Sequence, residues 1–541
     1  MSSSVGSSDA RGATLDLTTA SIADVQAAFK NGLTAEALTQ AYLARIAAYD
    51  KQGPAINAII TLNPRALEDA RKRDAERKAG KVRGPLHGIP VVLKDNIDTV
   101  DMPTTAGSQL LAGSIPPDDA VMVKKLRAAG AIILAKVNLS EFAASGGSVS
   151  ASRDPEELKR GTVSAGYSTM GLQTRNPHDP TRGPAGSSGG TGAAVAAVFA
   201  QVGIGTDTGG SIRSPSAANG IVGLRPTLGL ISRTGLVPLS SSLDTGGPMT
   251  RSVYDTALTL GVLTGVDTAD KATLKSKRKA ETDYLKYLKP GALRGARLGI
   301  ARDFTGRDAG TDKILEEAIA ILRRLGAVIV DPVTFPDYLL QAKSPIYHLI
   351  VAAEFKAEMN VYLKTLKPGY PRSFDEIVAL ANDPRTNYRS PEKAYALKYT
   401  QRMALDLDDP QYLAAKNEQL AAIRAGLAAI FAKHDLDAIV YPTASRPAAP
   451  IERKEDPKPA SATDSATNFA SEAGLPDLAV PAGMTENGLP VTLSFLGPAW
   501  SEAKLIGFGY DLEHAAQARR LPKFTPALPT DALTYDALTL P

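Results

Sequence analysis

The stretch TDKILEEAIAILRRLGAVIV, from Thr311 to Val330, carries the architecture in miniature. Thr311 is placed to cap a helix in which Ile314, Leu315, Ala318, Leu322 and Leu325 fall on one side. Gly326 ends it, and Val328-Ile329-Val330 runs on as a strand. The same order recurs upstream. Pro117-Asp118-Asp119 opens a helix that stops at Gly130, followed at once by the strand-like Ala131-Ile132-Ile133-Leu134. Earlier still, Thr34 can cap a helix with Leu38, Ala41, Tyr42 and Ile46 on one face. Helix, glycine, buried strand is the pattern of an α/β protein whose sheet is covered on both faces.

Composition narrows what such a chain can do. Among 541 residues, 61 Lys and Arg stand against 57 Asp and Glu, a formal net charge of +4. That balance gives no strong electrostatic case for nucleic acid or an anionic membrane surface. Cysteine is absent, which excludes disulfides, thiolate metal sites and a cysteine nucleophile. No segment approaches the ~20 apolar residues of a membrane span. Five of the first eight residues are serine, without the basic-then-apolar order of an intact signal peptide. Residues 1–13 are therefore expected to be a disordered leader and 14–541 a single domain. A soluble protein is expected, cytoplasmic or, if a signal peptide has been removed, periplasmic. Tyr441–Pro459 and the last twenty residues, rich in proline, read as surface segments.

One region departs from ordinary composition, the Gly- and Ser-dense run from Gly183 to Gly235. It holds Gly186-Ser187-Ser188-Gly189-Gly190, an apolar helical stretch to Gln201, the strand-like Val202–Asp207, and then Thr208-Gly209-Gly210-Ser211-Ile212-Arg213. A thirteen-residue helix from Gly189 rises about 20 Å and a six-residue strand returns about as far. Ser211 should thus come back beside Ser187, each next to glycines that let a substrate approach the backbone. Most Gly/Ser clusters are linkers, but linkers do not flank an apolar helix and a strand with cramped turns. The phosphate-binding spacings G-x-x-x-x-G-K-[ST] and G-x-G-x-x-G are missing. G-x-S-x-G is satisfied around Ser188, yet the preceding Asn176–Pro184 cannot be the central strand a nucleophile elbow requires.

A serine nucleophile needs a base. None of His87, His178, His348, His434 and His514 has a context that marks it, and each reads as a surface or structural residue. S-x-x-K occurs at Ser276/Lys279, Ser390/Lys393 and Ser501/Lys504, often enough to be chance. Lys94 differs. It ends the apolar run Gly88-Ile89-Pro90-Val91-Val92-Leu93, where desolvation lowers an amine's pKa and makes a neutral base.

Together these blocks resemble the amidase signature family of serine hydrolases, from about Ala23 to Pro522. Gly84–Asn96, Gly186–Gly190, Asp207–Pro215, Gly220–Thr227 and Gly488-Leu489-Pro490-Val491 match in order. The family usually begins its serine turn with Gly-Gly, where this chain has Ala185-Gly186, a methyl expected to be tolerated. The resemblance implies a large twisted mixed β-sheet covered on both faces by helices. It further implies a Ser–cis-Ser–Lys triad for hydrolysis of a carboxylic amide through an acyl-enzyme. In it Ser211 is the nucleophile, Ser187 the bridging serine entered by a cis peptide bond, and Lys94 the general base. The backbone amides of Thr208, Gly209, Gly210 and Ser211 would form the oxyanion hole, with Ser188, Asp207 and Arg213 as supports. No metal or cofactor is called for.

The overall run is most similar to bacterial peptide amidases and to relatives acting on aryl acylamides. Peptide amides or aryl and alkyl amides are the expected substrates, and a monomer or homodimer the expected state. A carbamate or ester hydrolase on the same triad is the alternative, as is a ligand-binding protein on the same scaffold. The Lys94-to-Ser187 spacing is longer than usual, and the polar stretch Ser148–Gly166 accounts for the excess. That stretch speaks against an amidotransferase subunit that makes aminoacyl-tRNA. It and Tyr167 are expected at the pocket mouth. Deleting Ser148–Gly166 is expected to change substrate preference while hydrolysis of a small amide persists; loss of every activity in the same rate assays would count against that placement.

Overall fold

The computed structural model describes residues 13–144, 147–452, 461 and 463–535. Within them, eleven strands form one mixed sheet. Its order is Val328–Val333, Arg297–Ala301, Ala438–Pro442, Pro490–Leu496, Asp477–Met484, Val222–Arg225, Thr245–Thr250, Val202–Asp207, Pro90–Lys94, Ile132–Val137, Ile59–Leu62. Parallel pairs lie toward both ends and antiparallel pairs fill the middle, and the edge strand Ile59–Leu62 is again antiparallel to its neighbour. Strand alternation assigns the two faces. Ala438 and Val440 pack in a core with the helices Ala309–Arg324 and Glu502–Ala516. Ile439 and Tyr441 belong to a second core with Asp337–Thr365, Leu420–His434 and Thr467–Ala473. Both faces are covered. Among the described residues, no helix is long and apolar enough to cross a membrane.

Local chemistry moves several expected boundaries. The helix Ala309–Arg324 is capped by Asp308, whose carboxylate accepts the Thr311 N–H at 2.8 Å and the Thr311 hydroxyl at 2.9 Å. A carboxylate three residues earlier outcompetes Thr311 as the cap. Thr34 does cap Ala35–Tyr49, accepting from the Ala37 N–H at 3.1 Å. Beyond Pro117 the helix starts only at Val121, because Asp119 instead accepts the Val100 N–H at 2.9 Å. The strand Val328–Val333 is a partly exposed sheet edge rather than a buried strand.

The first and last described strands pair with each other. Ala13–Asp16 pairs antiparallel with Ala532–Tyr535. Of the leader expected over 1–13, residues 1–12 lie outside the described residues, and Ala13 pairs with Tyr535. The C-terminal stretch is not simply laid over the surface: fully buried Arg45 ion-pairs with Asp531 and donates to Thr525 O at 2.8 Å. Residues 536–541 lie outside the described residues, as do 453–460 of the expected surface segment Tyr441–Pro459, whose Tyr441 is fully buried.

Where the serine turn enters its helix, the backbone of Gly190 presses on Asn138, donating its N–H to Asn138 O at 3.0 Å. A methyl on Gly190 would sit 2.3 Å from that oxygen and 2.5 Å from Asn138 N, both main-chain atoms that cannot swing aside. Gly190→Ala is expected to lower stability by about 1–3 kcal/mol, read as a lower urea midpoint. An unchanged midpoint would mean that the serine turn is not held against Asn138.

Candidate active site

Three segments converge at the carboxyl ends of neighbouring strands. Pro90–Lys94 lies parallel to Val202–Asp207, with Leu93 opposite Ile204, and every residue of both strands is buried. That register carries the Lys94 side chain to Thr206. Lys94 Nζ lies 2.7 Å from Thr206 Oγ1, 3.3 Å from Thr206 O and 2.7 Å from Ser187 Oγ. Asn96 Nδ2 donates to the same threonine hydroxyl at 3.1 Å. Lys94 is fully buried, and desolvation pulls its amine from 10.5 down to about 7, against an opposing pull from Asp207 and Asp244. A second buried lysine nearby, Lys136, is paired with Asp95 at 2.9 Å.

The turn that holds Ser187 and the turn that holds Ser211 are joined directly. The Gly186–Ser187 peptide bond is cis. Ser187 O accepts from the Ser140 N–H at 2.9 Å, and the Ser188 N–H donates to Ser211 O at 3.1 Å. Ser188 Oγ donates to Thr206 O at 3.1 Å. The connecting helix is Gly189–Ala196, shorter than the thirteen residues expected. Phe199 N–H closes on Ala194 O around Val198 at φ +58°, and the chain turns back early into Val202–Asp207. The two serines still meet. Ala185 stands at φ +57°, a left-handed conformation that explains why glycine suits this position and that costs a side-chain-bearing residue roughly 1 kcal/mol.

Asp207 organises the second turn. Its carboxylate accepts the Gly210 N–H at 2.9 Å and the Ile212 N–H at 3.0 Å, and pairs with Arg213 at 3.0 Å and Arg225 at 2.9 Å. Burial alone would raise this carboxyl, but the two guanidinium groups hold it far below the usual carboxylate range. Arg213 reaches on to Asp477 at 2.7 Å, Thr467 O at 2.8 Å and Ser471 Oγ at 3.1 Å. The expected set of four oxyanion amides is corrected at one position. The Gly210 N–H is engaged by Asp207, because a buried carboxylate is the stronger acceptor, which leaves Thr208, Gly209 and Ser211. Thr208 Oγ1 itself donates to buried Asp244 at 2.5 Å.

A cavity of about 280 Å³ opens over these turns, bordered by Ser187, Gly209, Gly210, Ser211 and Ser214. Gly147 and Ser150 form part of its rim, so the start of the inserted stretch does reach the pocket. The rest of that stretch is structured, with the helix Pro155–Gly161 packed on Pro391–Met403. Tyr167 does not border the cavity; its hydroxyl donates to Arg389 O at 3.2 Å.

The far wall carries no clear mark in the sequence. Lys343, Ser344, Tyr347, His348 and Val351 project from the helix Asp337–Thr365. His348, expected to be a surface or structural histidine, lines the cavity, and burial lowers its imidazole to about 4. The i, i+4, i+8 spacing of Lys343, Tyr347 and Val351 is the available signal, but such a stripe reads equally well as core. Thr206 and Arg225 also belong to the site without having been expected there, although both stand inside the Gly- and Ser-dense run. Among the described residues, no cluster of three or more His, Asp or Glu side chains could hold a metal ion.

A glycine-rich serine turn, a buried amine and a sheet of this topology fit an amide-hydrolase class of site. The family model Amidase matches residues 37–506, and the chain belongs to that family, whose members are amidase-type enzymes. It is 38% identical over 492 residues to a glutamyl-tRNA(Gln) amidotransferase subunit of Chloroflexus aurantiacus, covering 90% of this chain and 94% of that one. A probable amidase of Arabidopsis thaliana is 33% identical over 519 residues, covering 94% of this chain and 93% of the other. Among solved structures, native peptide amidase from Stenotrophomonas maltophilia superposes with a TM-score of 0.83 at 42% identity. That match covers 94% of this chain and 99% of that one.

For a reaction that uses Lys94 as base, the environment of its amine predicts a pH dependence. Below about 7 the amine is protonated and cannot accept a proton; above it the amine is free. kcat/KM on an amide substrate is expected to fall about tenfold per pH unit below that point and to level off above it. A rate independent of pH across the neutral and alkaline range would exclude this lysine as the base.

Proposed function

We propose that the protein hydrolyses a carboxylic amide C–N bond with Ser211 as nucleophile, Ser187 as proton bridge and Lys94 as general base. The observation that carries this reading is the 2.7 Å contact between the buried Lys94 amine and Ser187 Oγ, beside the turn that bears Ser211. A neutral amine there takes the Ser187 proton as Ser187 takes that of Ser211, and Ser211 Oγ adds to the carbonyl carbon. The amides of Thr208, Gly209 and Ser211 face the developing charge, where each such donor is worth about 3–4 kcal/mol. Ser187 returns a proton to the departing amine, and water then releases the acyl group from Ser211. Asp207, Arg213 and Ser188 act at one remove, holding the two turns in register.

Peptide C-terminal amides are the substrate class best supported, with aryl and alkyl amides next. The support is the 42% identity to peptide amidase over nearly all of both chains. A second reading, glutamine hydrolysis within an amidotransferase, draws on the 38% identity to the Chloroflexus aurantiacus protein. A hydrolysis screen over peptide amides, anilides, carbamates, esters, small aliphatic amides and free glutamine separates them. Turnover of glutamine alone would favour the second.

Ser211→Ala is expected to abolish turnover while substrate still binds, measured by calorimetry. Lys94→Ala is expected to lower kcat by about 10²–10⁴-fold on an amide, and by less on the matched ester, because an expelled amine needs the returned proton. Equal losses on both would sink the proton-return step, and retained turnover in Ser211→Ala would sink the triad.

A further inference from the structure

The helical wall of the cavity carries an unassigned group. Tyr347 stands on the cavity face of Asp337–Thr365 and leans on the nucleophile turn itself. A methyl placed on Gly209 would lie 2.8 Å from each of Tyr347 Cε2, Cζ and Oη. The edge of the ring that bears the hydroxyl therefore rests against the residue whose amide is expected to meet the substrate oxygen. Glycine is what permits this approach, since any side chain at 209 would collide with the ring.

The hydroxyl is also set apart by its bonding. Buried tyrosines elsewhere find protein partners, whereas Tyr347 is half-buried: Tyr42 bonds Gln201 Oε1 at 2.6 Å, Tyr362 bonds Asp98 at 2.9 Å, Tyr412 bonds Glu354 at 2.7 Å, and Tyr441 bonds Asp477. Among the described residues, Tyr347 Oη makes no such bond, and its residue borders the 280 Å³ cavity. A phenol held at a cavity wall with its ring packed and its donor unused is disposed to bond whatever fills the cavity. Meanwhile the turn lacks one donor, because the Gly210 N–H is taken by Asp207 at 2.9 Å.

We propose that Tyr347 is a catalytic residue whose hydroxyl donates a hydrogen bond to the substrate carbonyl oxygen as that oxygen becomes an oxyanion, filling the place left by the Gly210 amide. The proposal rests on the Ser211 reading above. As the Ser211 Oγ–C bond forms, the carbonyl π pair moves onto oxygen and the Ser211 proton passes through Ser187 to Lys94. Tyr347 keeps its own proton throughout and contributes only the hydrogen bond. When the C–N bond breaks, the C=O bond re-forms, the amine leaves with the returned proton, and the phenol is released unchanged. Burial, and after it the carboxylates Asp244, Asp207 and Glu472, push this phenol upward, so it remains a donor through the working pH range.

Tyr347→Phe in the full chain keeps the ring on Gly209 and removes only the donor. With a peptide amide, kcat is expected to fall about tenfold to a few hundredfold while KM stays within about threefold. The inhibition constant of a peptide aldehyde, whose hemiacetal oxygen occupies the oxyanion position, is expected to rise by the same factor. That constant does not depend on the fraction of chains folded. A kcat within twofold of the parent, or a fall in kcat with aldehyde affinity unchanged, would overturn the assignment. Either result leaves the triad standing if Ser211→Ala remains inactive; turnover by Ser211→Ala would be the separate failure of the triad reading.

Discussion

The chemistry of this site depends on an amine that has been taken out of water without being given a carboxylate to touch. Lys94 Nζ bonds two hydroxyls and a carbonyl, those of Ser187 and Thr206, and is fully buried. Its neighbour across the strand pair, Lys136, has the opposite arrangement, an ion pair with Asp95 at 2.9 Å. Two buried lysines on adjacent strands therefore differ in what surrounds them. One is paired with a counter-ion; the other is left among neutral acceptors, where desolvation lowers its pKa to about 7, as the proposed role of base requires.

Order in the nucleophile turn comes from the reverse device, a charge surrounded by charges. Asp207 is the anion between Arg213 and Arg225, and through its two oxygens it also fixes the amides of Gly210 and Ile212. Buried ion clusters add little net stability, because each charge must be desolvated, but they specify geometry sharply since any misplaced member is left unpaired. The same carboxylate that aligns the turn withdraws one amide from the cavity. Rigidity and donor number trade against each other here, and a turn built this way has reason to draw a donor from a neighbouring element.

Legibility in the sequence follows the range of the interactions. The strand Val202–Asp207, the Thr34 cap and the pairing of the Ser187 and Ser211 turns rest on local pattern and on length, and they are readable. Lys94 is readable because an amine at the end of an apolar strand is a local anomaly. The end of the helix at Ala196 is not, since it depends on Val198 adopting φ +58°. The cap at Asp308 is hidden because two good capping residues stand three apart. Tyr167 is near the inserted stretch in sequence, whereas its hydroxyl is drawn away by Arg389 O. Tyr347 and His348 leave no local trace that separates them from core: they lie more than 130 residues beyond Ser211, on a helix whose stripe of Lys343, Tyr347 and Val351 reads equally well as ordinary packing.

That last contrast separates a fixed part of the site from an adjustable part on physical grounds alone. Lys94, Ser187 and Ser211 stand at the ends of strands or in turns braced by the sheet, where a shift of one atom disturbs buried pairs on several strands. The rest of the cavity lining draws on the continuous helix Asp337–Thr365, which carries Pro345 within it, on Gly147 and Ser150, and on Asp464, Ser465 and Asn468. Side chains there can change size and polarity without touching the ion cluster behind Asp207. The chain is 42% identical to a peptide amidase and also 38% identical to part of an amidotransferase, so overall identity by itself does not choose between their substrates.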